Sequence, residues 1–474
     1  MSDLELCYLP ALRQIEMFRA REVSPVEVLE AQIARAEAVE PVVNAFTETF
    51  FDQARDQARH AEKIYMARTG EARPLEGLTV GIKDEMDVAG QRNTSGSLIY
   101  KEQIATEDHP VAARLRDAGA IFHARTTTPE FCCAWVTSSR LYGTTTNPWH
   151  CDFTCSSSSG GSAASLAAGT SSLATGSDIA GSIRGPAAAC GVVGYKPPYG
   201  RVPDLPPFNL DPYNTVGPLA RHVTDCALMQ NVIAGHHPGD IATLREQIDI
   251  PLQHEGVKGL TLAYTLDVGN EVLADDVRAH TLQALDRLAD QGAIIEHVDL
   301  GWTRETTYAA RDYLDFGLGH YLQQEATAHP DLVCDYTAFL AERSKTATVE
   351  KVYRSQELAA EMYSSIAPVL ERAHAMICPA FITHEVRAEQ PLWETMIVSG
   401  REIDTDYEFH LLPQFNMLNR LPVLAVPTGI ADSGLPMGVQ VVGRSFDDPR
   451  VFRVAAALEQ VTPFFDCAAH RPNL

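Results

Sequence analysis

Two groups of serine residues stand out in this chain because small residues surround them. The first is Ser156 to Ser159, which Gly160 and Gly161 follow directly, and the second centres on Ser182. A serine hydroxyl attacks a carbon atom only after a neighbouring group has taken its proton, and small residues let backbone amides approach a ligand closely. The two groups therefore indicate a site where hydroxyl groups and amides face a bound ligand.

The flanking sequence decides between a flexible linker and a structured turn. Serine- and glycine-rich runs are often linkers, but Ser162 to Ala168 is good helix-forming sequence with serine and glycine at its start. Leu173 to Gly176 and Cys190 to Gly194 are short apolar runs that predict buried strands. The first serine group is thus predicted to be a tight turn that enters a helix, where free amides and the helix dipole face a ligand.

The stretch from Ser158 to Pro197 resembles the signature of the amidase signature family. That signature is usually written GGSSGGS followed by GSDxGGSIRxPAxxCGxxGxKP. Its first half matches Ser158 to Ser162, and its second half matches Gly176 to Pro197. The family also has a lysine at the end of a strand in the pattern GxKD, which the run from Gly81 to Asp84 fits. A match of this length is specific, and family-like segments continue at 415–460.

The resemblance implies a Ser–cis-Ser–Lys triad. By that mapping Lys83 is the base and Ser158 is the bridging serine, whose peptide bond is cis in the family. Ser182, 24 positions after Ser158, is the nucleophile. A lysine accepts a proton only when it is neutral, so its ordinary pKa of about 10.4 must fall, and burial is the usual cause. Because Lys83 follows the apolar residues 78–82, we expect it to be buried.

The resemblance also implies roles for the residues around Ser182. Asp178 and Arg184, which could otherwise be surface charges, are expected to form an ion pair that braces this loop. The residue at Cys132 lines the acyl pocket in the family, although an ordinary buried thiol explains it equally well. The expected oxyanion hole for the tetrahedral intermediate consists of the backbone N–H groups of Ile179, Ala180, Gly181 and Ser182.

The chain departs from the family pattern near both serine groups. Ser156 and Ser157 replace the usual Gly-Gly before Ser158. Ala180 replaces the first glycine of GGS, and Pro198 stands where the family commonly has threonine or serine. If position 180 requires a positive φ, alanine there costs roughly 1 kcal/mol. Because Ala180 keeps its amide donor, these changes bear on the substrate subclass more than on the mechanism.

The composition indicates a globular protein and excludes several kinds of partner. The chain has 474 residues, of which 45% are hydrophobic and 21% charged, enough for a large core. Its net charge of −24 opposes binding to nucleic acid or to an anionic membrane, since both require basic patches. The sequence predicts neither a membrane span nor a signal peptide. The ten scattered cysteines, with Cys132 and Cys133 adjacent, suit reduced thiols, so a cytoplasmic location is expected.

No motif indicates a metal or a cofactor. His150, Cys151 and Cys155 lie close together, but no second ligand cluster accompanies them. The sequence contains neither a Gly-Lys-Ser/Thr phosphate-binding pattern nor the zinc pattern His-Glu-x-x-His. We therefore expect the chain to use neither.

The order of apolar and helical segments predicts an α/β fold in one domain, 1–474. Residues 1–74 are expected to be a helical arm, in which Ser24 to Glu27 form a capping box. Strands and helices alternate after residue 220, which implies a mixed sheet with helices on both faces. We assign the core to 75–300 and 415–474, and an insertion that shapes the substrate mouth to about 301–414.

Three functions remain compatible with these features. The favoured one is an amidohydrolase that cleaves a small carboxamide through an acyl-enzyme on Ser182 and releases ammonia or an amine. The second is the glutaminase subunit of a tRNA-dependent amidotransferase, which Ala180 and Pro198 fit less well. The third is a non-catalytic scaffold, against which the intact Lys83, Ser158 and Ser182 argue. The expected partner is a small-molecule amide, and the family suggests a homodimer.

Overall fold

A large mixed sheet determines where the rest of the chain lies. The computed structural model describes residues 1–67 and 72–474. In these residues the strands are β1 (Phe46–Thr49), β2 (Thr79–Lys83), β3 (Ile121–Thr126), β4 (Ser138–Ser139), β5 (Gly143–Thr144), β6 (Thr146–Asn147), β7 (His150–Thr154), β8 (Leu173–Ser177), β9 (Val193–Lys196), β10 (Val216–Ala220), β11 (Thr261–Tyr264), β12 (Ile294–His297), β13 (Ala375–Pro379), β14 (Thr395–Val398), β15 (Arg401–Asp404), β16 (Val423–Ile430) and β17 (Pro436–Val442).

Eleven of these strands form one sheet in the order β1-β3-β2-β8-β10-β9-β16-β17-β13-β11-β12. The pairs β3–β2, β2–β8, β13–β11 and β11–β12 are parallel, whereas the pairs in the middle of the sheet are antiparallel. Every residue of β2, β10 and β13 is buried, so both faces of the sheet are covered there. The predicted α/β class with a mixed sheet is confirmed.

The helices cover this sheet and form the walls around its centre. They are α1 (Asp3–Cys7), α2 (Ala11–Ala20), α3 (Pro25–Val43), α4 (Phe51–Met66), α5 (Pro110–Asp117), α6 (Gly160–Ala168), α7 (Arg184–Cys190), α8 (Val223–Ile233), α9 (Asp275–Asp290), α10 (Arg304–Phe316), α11 (Leu318–Ala328), α12 (Asp335–Ser344), α13 (Val349–Arg372), α14 (Gln414–Met417) and α15 (Asp448–Val461). Of the helices within residues 1–67 and 72–474, none combines the length and the apolar character that crossing a bilayer requires.

The run of small residues in α6 reflects close packing rather than flexibility. All nine residues of α6 are buried. A Cβ atom on Gly160 would lie 2.1 Å from Thr137 Oγ1, and one on Gly161 would lie 2.2 Å from Thr127 Oγ1. The glycines therefore allow the start of the helix to sit directly against neighbouring loops.

Several local predictions are confirmed and others are wrong. The capping box is present, since Ser24 Oγ accepts the Glu27 N–H and the Glu27 carboxylate accepts the Ser24 N–H. Cys190 was predicted to begin a strand but is the last residue of α7, and the strand β9 begins at Val193. The N-terminal arm is not purely helical, because β1 lies between α3 and α4 and forms the edge of the sheet. All ten cysteines are free thiols.

Candidate active site

Lys83 is the last residue of β2 and lies at the edge of the sheet where β8 also ends. Because β2 and β8 are parallel neighbours, their carboxyl ends meet at this edge. The backbone N–H of Lys83 donates to Thr175 Oγ1 in β8 at 2.9 Å. The side chain is fully buried, as expected, and Nζ donates to Ser158 Oγ at 2.7 Å and to Ser177 Oγ at 2.8 Å.

Ser158 lies in the tight turn that leads into α6. The Ser157–Ser158 peptide bond is cis. Ser156 has a φ of 61°, a left-handed conformation that costs a serine about 1 kcal/mol, and Thr137 Oγ1 donates to its carbonyl oxygen at 2.7 Å. Ser159 N–H donates to the Ser182 carbonyl oxygen at 3.2 Å. This backbone bond holds the two serine turns together.

Ser182 lies in the turn between β8 and α7 and is 5% exposed. The structure brings Lys83, Ser158 and Ser182 to one edge of the sheet, as the mapping predicted. Within the described residues, however, the Ser182 hydroxyl makes no hydrogen bond to Ser158 or Lys83. The lysine-to-bridging-serine contact is thus formed, whereas the contact between the two serines stays a prediction. Catalytic hydrogen bonds often tighten only when substrate is bound.

Asp178 and Arg184 form a fully buried ion pair beneath Ser182. Arg184 Nε and Nη2 lie 3.0 Å from the two carboxylate oxygens of Asp178, and Asn416 Nδ2 donates to Oδ1 at 2.8 Å. Burial raises the pKa of Asp178, but the Arg184 guanidinium outweighs burial and leaves the pKa below its ordinary value. Arg184 also donates to Gln440 Oε1 at 2.6 Å, which connects the turn to β17.

The amides of the predicted oxyanion hole divide into two groups. The Gly181 N–H donates to Asp178 Oδ1 at 2.8 Å, so this amide is not free to bind an oxyanion, and the prediction for Gly181 needs correction. In the described residues, the N–H groups of Ile179, Ala180 and Ser182 have no protein acceptor. The positive φ in this turn falls on Gly181, at 122°, and not on Ala180. The alanine therefore carries none of the strain that the sequence suggested.

Cys132 lies in a 3-10 turn, Glu130–Cys132, beside the lysine. Its Sγ donates to Glu85 Oε2 at 2.8 Å and lies 3.0 Å from Thr128 Oγ1. Burial raises the pKa of the Cys132 thiol to about 12, so the thiol stays protonated. Cys132 thus faces the site but is a hydrogen-bond donor rather than a reactive thiolate.

Glu85 is a site residue that sequence reasoning missed. Its Oε1 lies 2.9 Å from Lys83 Nζ. The neighbouring Asp84 turns away from the site, and its Oδ2 accepts hydrogen bonds from Thr94 and from the Gly96 N–H. The signal was an acidic residue two positions after the lysine, but sequence alone does not indicate which of the two acids faces the lysine.

Two cavities meet at the serines. The rear cavity, about 40 Å³, is lined mainly by apolar side chains, among them Trp135, Ala180, Leu314, Leu322 and Leu340. Its polar lining includes Ser182 and the paired Arg343 and Asp406. The front cavity, about 570 Å³, has Ser158 and Ser177 at its base and walls that include Glu85, Asp87, His109, Asp204, Asp211 and Tyr321. Cys132, Ile179 and Leu318 line both cavities.

The walls of these cavities come partly from expected segments and partly from an unexpected one. Helices α10 and α11 belong to the 301–414 region that was expected to shape the substrate mouth. The segment from Asp204 to Asn214 was not expected, although it supplies much of the front wall. Asp204 accepts hydrogen bonds from Asn214 Nδ2 at 2.6 Å and from the Leu205 N–H at 2.7 Å, so its carboxylate is fixed in place.

Comparison with known proteins identifies one family, and the relatives described here match this chain over nearly the whole length of both proteins. The chain matches the profile of the family described as Amidase over residues 27–452. It is 33% identical to a glutamyl-tRNA(Gln) amidotransferase subunit of Carboxydothermus hydrogenoformans, over 99% of this chain and 100% of that protein. It is 32% identical to an acylamidase of Rhodococcus erythropolis, over 98% of both chains. A bacterial aryl acylamidase of the amidase signature enzymes superposes with a TM-score of 0.89 at 26% identity, over 98% of this chain and 99% of that one.

Proposed function

The chain belongs to the amidase family of amide-hydrolysing enzymes, and from this membership we propose that it is a free-standing amidase acting on a small carboxamide. The observation that carries the proposal is the convergence of three residues at the junction of two cavities: Lys83, Ser158 and Ser182. This arrangement supplies a nucleophile, a proton relay and room for a group on each side of the scissile bond.

In the proposed reaction Ser182 Oγ attacks the carbonyl carbon of the amide. The Ser182 proton passes to Ser158 while the Ser158 proton passes to Lys83 Nζ, which lies 2.7 Å away. When the C–N bond breaks, the proton returns by the same route to the leaving nitrogen, and ammonia or an amine departs. A water molecule then attacks the acyl-enzyme with the same relay as its base, which releases the carboxylic acid and frees Ser182.

The negative charge that develops on the carbonyl oxygen must be stabilised by N–H donors that do not already bind a protein acceptor. The free amides of Ile179, Ala180 and Ser182 are therefore the proposed oxyanion hole. The Gly181 amide instead fixes the turn through Asp178. Substitutions at Asp178 are expected to act on catalysis through the position of these amides.

The charge of the front cavity supports an amidase over a glutaminase. Four carboxylates line this cavity, and among its described lining residues none is an arginine or a lysine: Glu85, Asp87, Asp204 and Asp211 are the acids. Glutamine carries an α-carboxylate, which needs a cationic partner when it is bound in a confined site. An amide without a carboxylate fits this cavity better than glutamine does.

The test is amide hydrolysis by the purified chain without a partner. Ammonia and amine release is measured for glutamine, short aliphatic amides, aryl amides and amino-acid amides, with Ser182→Ala as the control. We expect hydrolysis of at least one class other than glutamine, lost in the variant. Activity on glutamine alone that requires an added partner protein would instead favour the amidotransferase role that the 33% identity to the amidotransferase subunit suggests. Wild-type turnover in Ser182→Ala would refute the nucleophile assignment.

A further inference from the structure

The amine of Lys83 has a charged neighbour that the triad does not include. Besides its contacts with Ser158 at 2.7 Å and Ser177 at 2.8 Å, Nζ lies 2.9 Å from Glu85 Oε1. An ammonium group has three N–H bonds, and these three acceptors account for all of them. The lysine is therefore held on three sides, and one of the three groups is an acid.

Glu85 is itself fixed by a protein donor. Its Oε2 accepts the S–H of Cys132 at 2.8 Å, and that thiol stays protonated because burial raises its pKa to about 12. Burial also raises the pKa of Glu85, but the nearby Lys83 charge and the Cys132 hydrogen bond outweigh it and hold the pKa below its ordinary value. Glu85 is thus a carboxylate whose two oxygens are both bound to protein groups.

We propose that Glu85 is a positioning residue for Lys83, an inference that rests on the proposed amidase function. The carboxylate directs Nζ toward Ser158 and stabilises the positive charge that Lys83 acquires when the serine proton reaches it. The acid in a Ser-His-Asp triad acts in the same way, since it orients the base and stabilises its cation without taking the proton. The site would then have four members: Ser182, Ser158, Lys83 and Glu85.

The other charged groups near the lysine do not replace this contact. Asp84 faces the opposite side of β2, where Arg125 of β3 lies. Cys132, from the neighbouring 3-10 turn, is neutral. Asp87, Asp204 and Asp211 line the front cavity, where other protein groups bind their carboxylates, and His109 there is paired with Asp204. Glu85 is the acid that contacts Nζ in the described residues.

The contact between Glu85 and Lys83 predicts how the rate of Ser182 acylation should respond to pH when the carboxylate is removed. An adjacent carboxylate favours the charged form of an amine over its neutral form. Because Glu85 Oε1 lies 2.9 Å from Lys83 Nζ, we expect removal of the carboxylate to move the acid limb of the pH profile for Ser182 acylation to lower pH. Loss of the carboxylate also removes the stabilisation of the lysine cation in the transition state, which lowers the maximum rate.

The experiment is the rate of Ser182 labelling by a fluorophosphonate probe, followed by mass spectrometry from pH 5 to pH 10 in the intact protein. This probe requires no knowledge of the substrate. For Glu85→Gln we expect the acid limb to move to lower pH by about 1–3 units, with a maximum rate lower by roughly tenfold or more. Glu85→Asp keeps the charge and is expected to return the limb toward its wild-type position.

Asp87→Asn is the matched control, because it removes a charge from the same cavity without touching Lys83. Its acid limb is expected to stay within about 0.3 pH units of wild type, since a screened charge without contact has little effect. An equal slowing of Glu85→Gln at every pH, with no shift of the limb, would overturn the proposal. An equal shift of the acid limb in Asp87→Asn would overturn the proposal as well. The shift would then come from the overall charge of the front cavity and not from contact with Lys83.

Folding of the variants is checked by thermal melting. If Glu85→Gln does not fold, the neutral variant Glu85→Met takes its place, and a folded Glu85→Met whose acid limb stays at the wild-type position would overturn the contact role of Glu85. If Ser182 of the wild type is not labelled at any pH, the amidase proposal itself fails, and the role of Glu85 fails with it. Absence of labelling in the wild type therefore indicates that the amidase proposal fails, whereas labelling without the expected shift of the acid limb indicates that only the Glu85 proposal fails.

Discussion

The carboxylate of Asp178 and the guanidinium of Arg184 form a two-pronged pair, 3.0 Å at each contact, in which neither side chain is exposed to solvent. The same carboxylate accepts the N–H groups of Gly181 and Ile183, at 2.8 and 3.2 Å. The pair therefore determines the path of the backbone on both sides of Ser182. A buried charge that loses its partner is far more costly than a surface charge that does so.

We accordingly predict a large loss of stability for Asp178→Asn. The variant keeps the shape of the side chain but leaves Arg184 buried without its counter-charge, and the free energy of unfolding should fall by about 3–5 kcal/mol. Urea denaturation measures this, and labelling of Ser182 should be lost in parallel. The control is Glu296→Gln, which breaks an exposed pair with Arg372 (2.8 Å) and should cost less than about 1 kcal/mol. Equal effects of the two variants would contradict this account.

Ser158 and Ser177 offer a second matched comparison. Both hydroxyls contact Lys83 Nζ, at 2.7 and 2.8 Å, but only Ser158 belongs to the proposed relay. Ser158→Ala should lower kcat by about 10²–10⁴-fold, since a proton-transfer step is lost. Ser177→Ala should lower it by less than about tenfold, because one hydrogen bond to the lysine is removed. If Ser177→Ala is the more damaging variant in steady-state kinetics, the proton passes through Ser177 instead.

The buried side chain of His123 should make the free energy of unfolding depend on pH. Burial lowers its pKa to about 4, whereas an unfolded histidine has a pKa of about 6.5. The unfolded chain therefore binds a proton between these values that the folded chain does not, and stability falls as the pH decreases through this window. His123 alone should remove about 2 kcal/mol between pH 7 and pH 5.

The variant His123→Gln provides the measurement. A glutamine side chain does not titrate, so the fall in urea-unfolding free energy between pH 7 and pH 5 should be smaller than in wild type by that amount. Other buried histidines, among them His384 and His410, have pKa values lowered to about 3 and leave a remaining pH dependence in the variant. An unchanged slope in His123→Gln would show that this histidine is already neutral in the unfolded chain or accessible to protons in the folded one.

The acid-lined front cavity predicts discrimination by substrate charge. For three amides of matched size, one with an added carboxylate, one neutral and one with an added amine, kcat/KM should be lowest for the carboxylate by at least about tenfold. The difference should shrink as salt is raised, because exposed charges are screened. A preference for the acidic amide that persists in high salt would count against both this prediction and the choice of amidase over glutaminase.

The residues of the proposed triad and of the ion pair could be identified from sequence because they lie in two recognisable patterns, the run from Gly81 to Asp84 and the stretch from Ser158 to Pro197. Ser158 and Ser182 flank α6 and β8, and Lys83 ends the strand beside β8, so the pattern and the fold agree on their position. Buried strands of uniform apolar character were equally visible. The predicted division into arm, core and insertion stays a prediction.

Other features depend on geometry that residue types do not encode. The Gly181 N–H donates to Asp178 because of the direction in which the backbone turn runs. The residue types in the turn do not predict that direction. Whether Asp84 or Glu85 faces the lysine depends on how the chain leaves β2. The wall formed by Asp204 to Asn214 meets the site from more than 100 positions beyond the lysine, and apolar periodicity gives no sign of such a contact.

The close packing of the glycines at the start of α6 implies that this part of the chain tolerates fewer substitutions than the walls of the cavities. Where an added methyl group would lie 2.1 or 2.2 Å from a threonine oxygen, almost every substitution is excluded. The helices α10 and α11 and the segment from Asp204 to Asn214 contain a single glycine, Gly319, yet they line the cavities that meet at the serines. New substrate ranges can therefore arise by mutation of the walls while the reaction itself is inherited unchanged. Laboratory selection for altered substrates should concentrate its libraries on these walls and leave the serine turns alone.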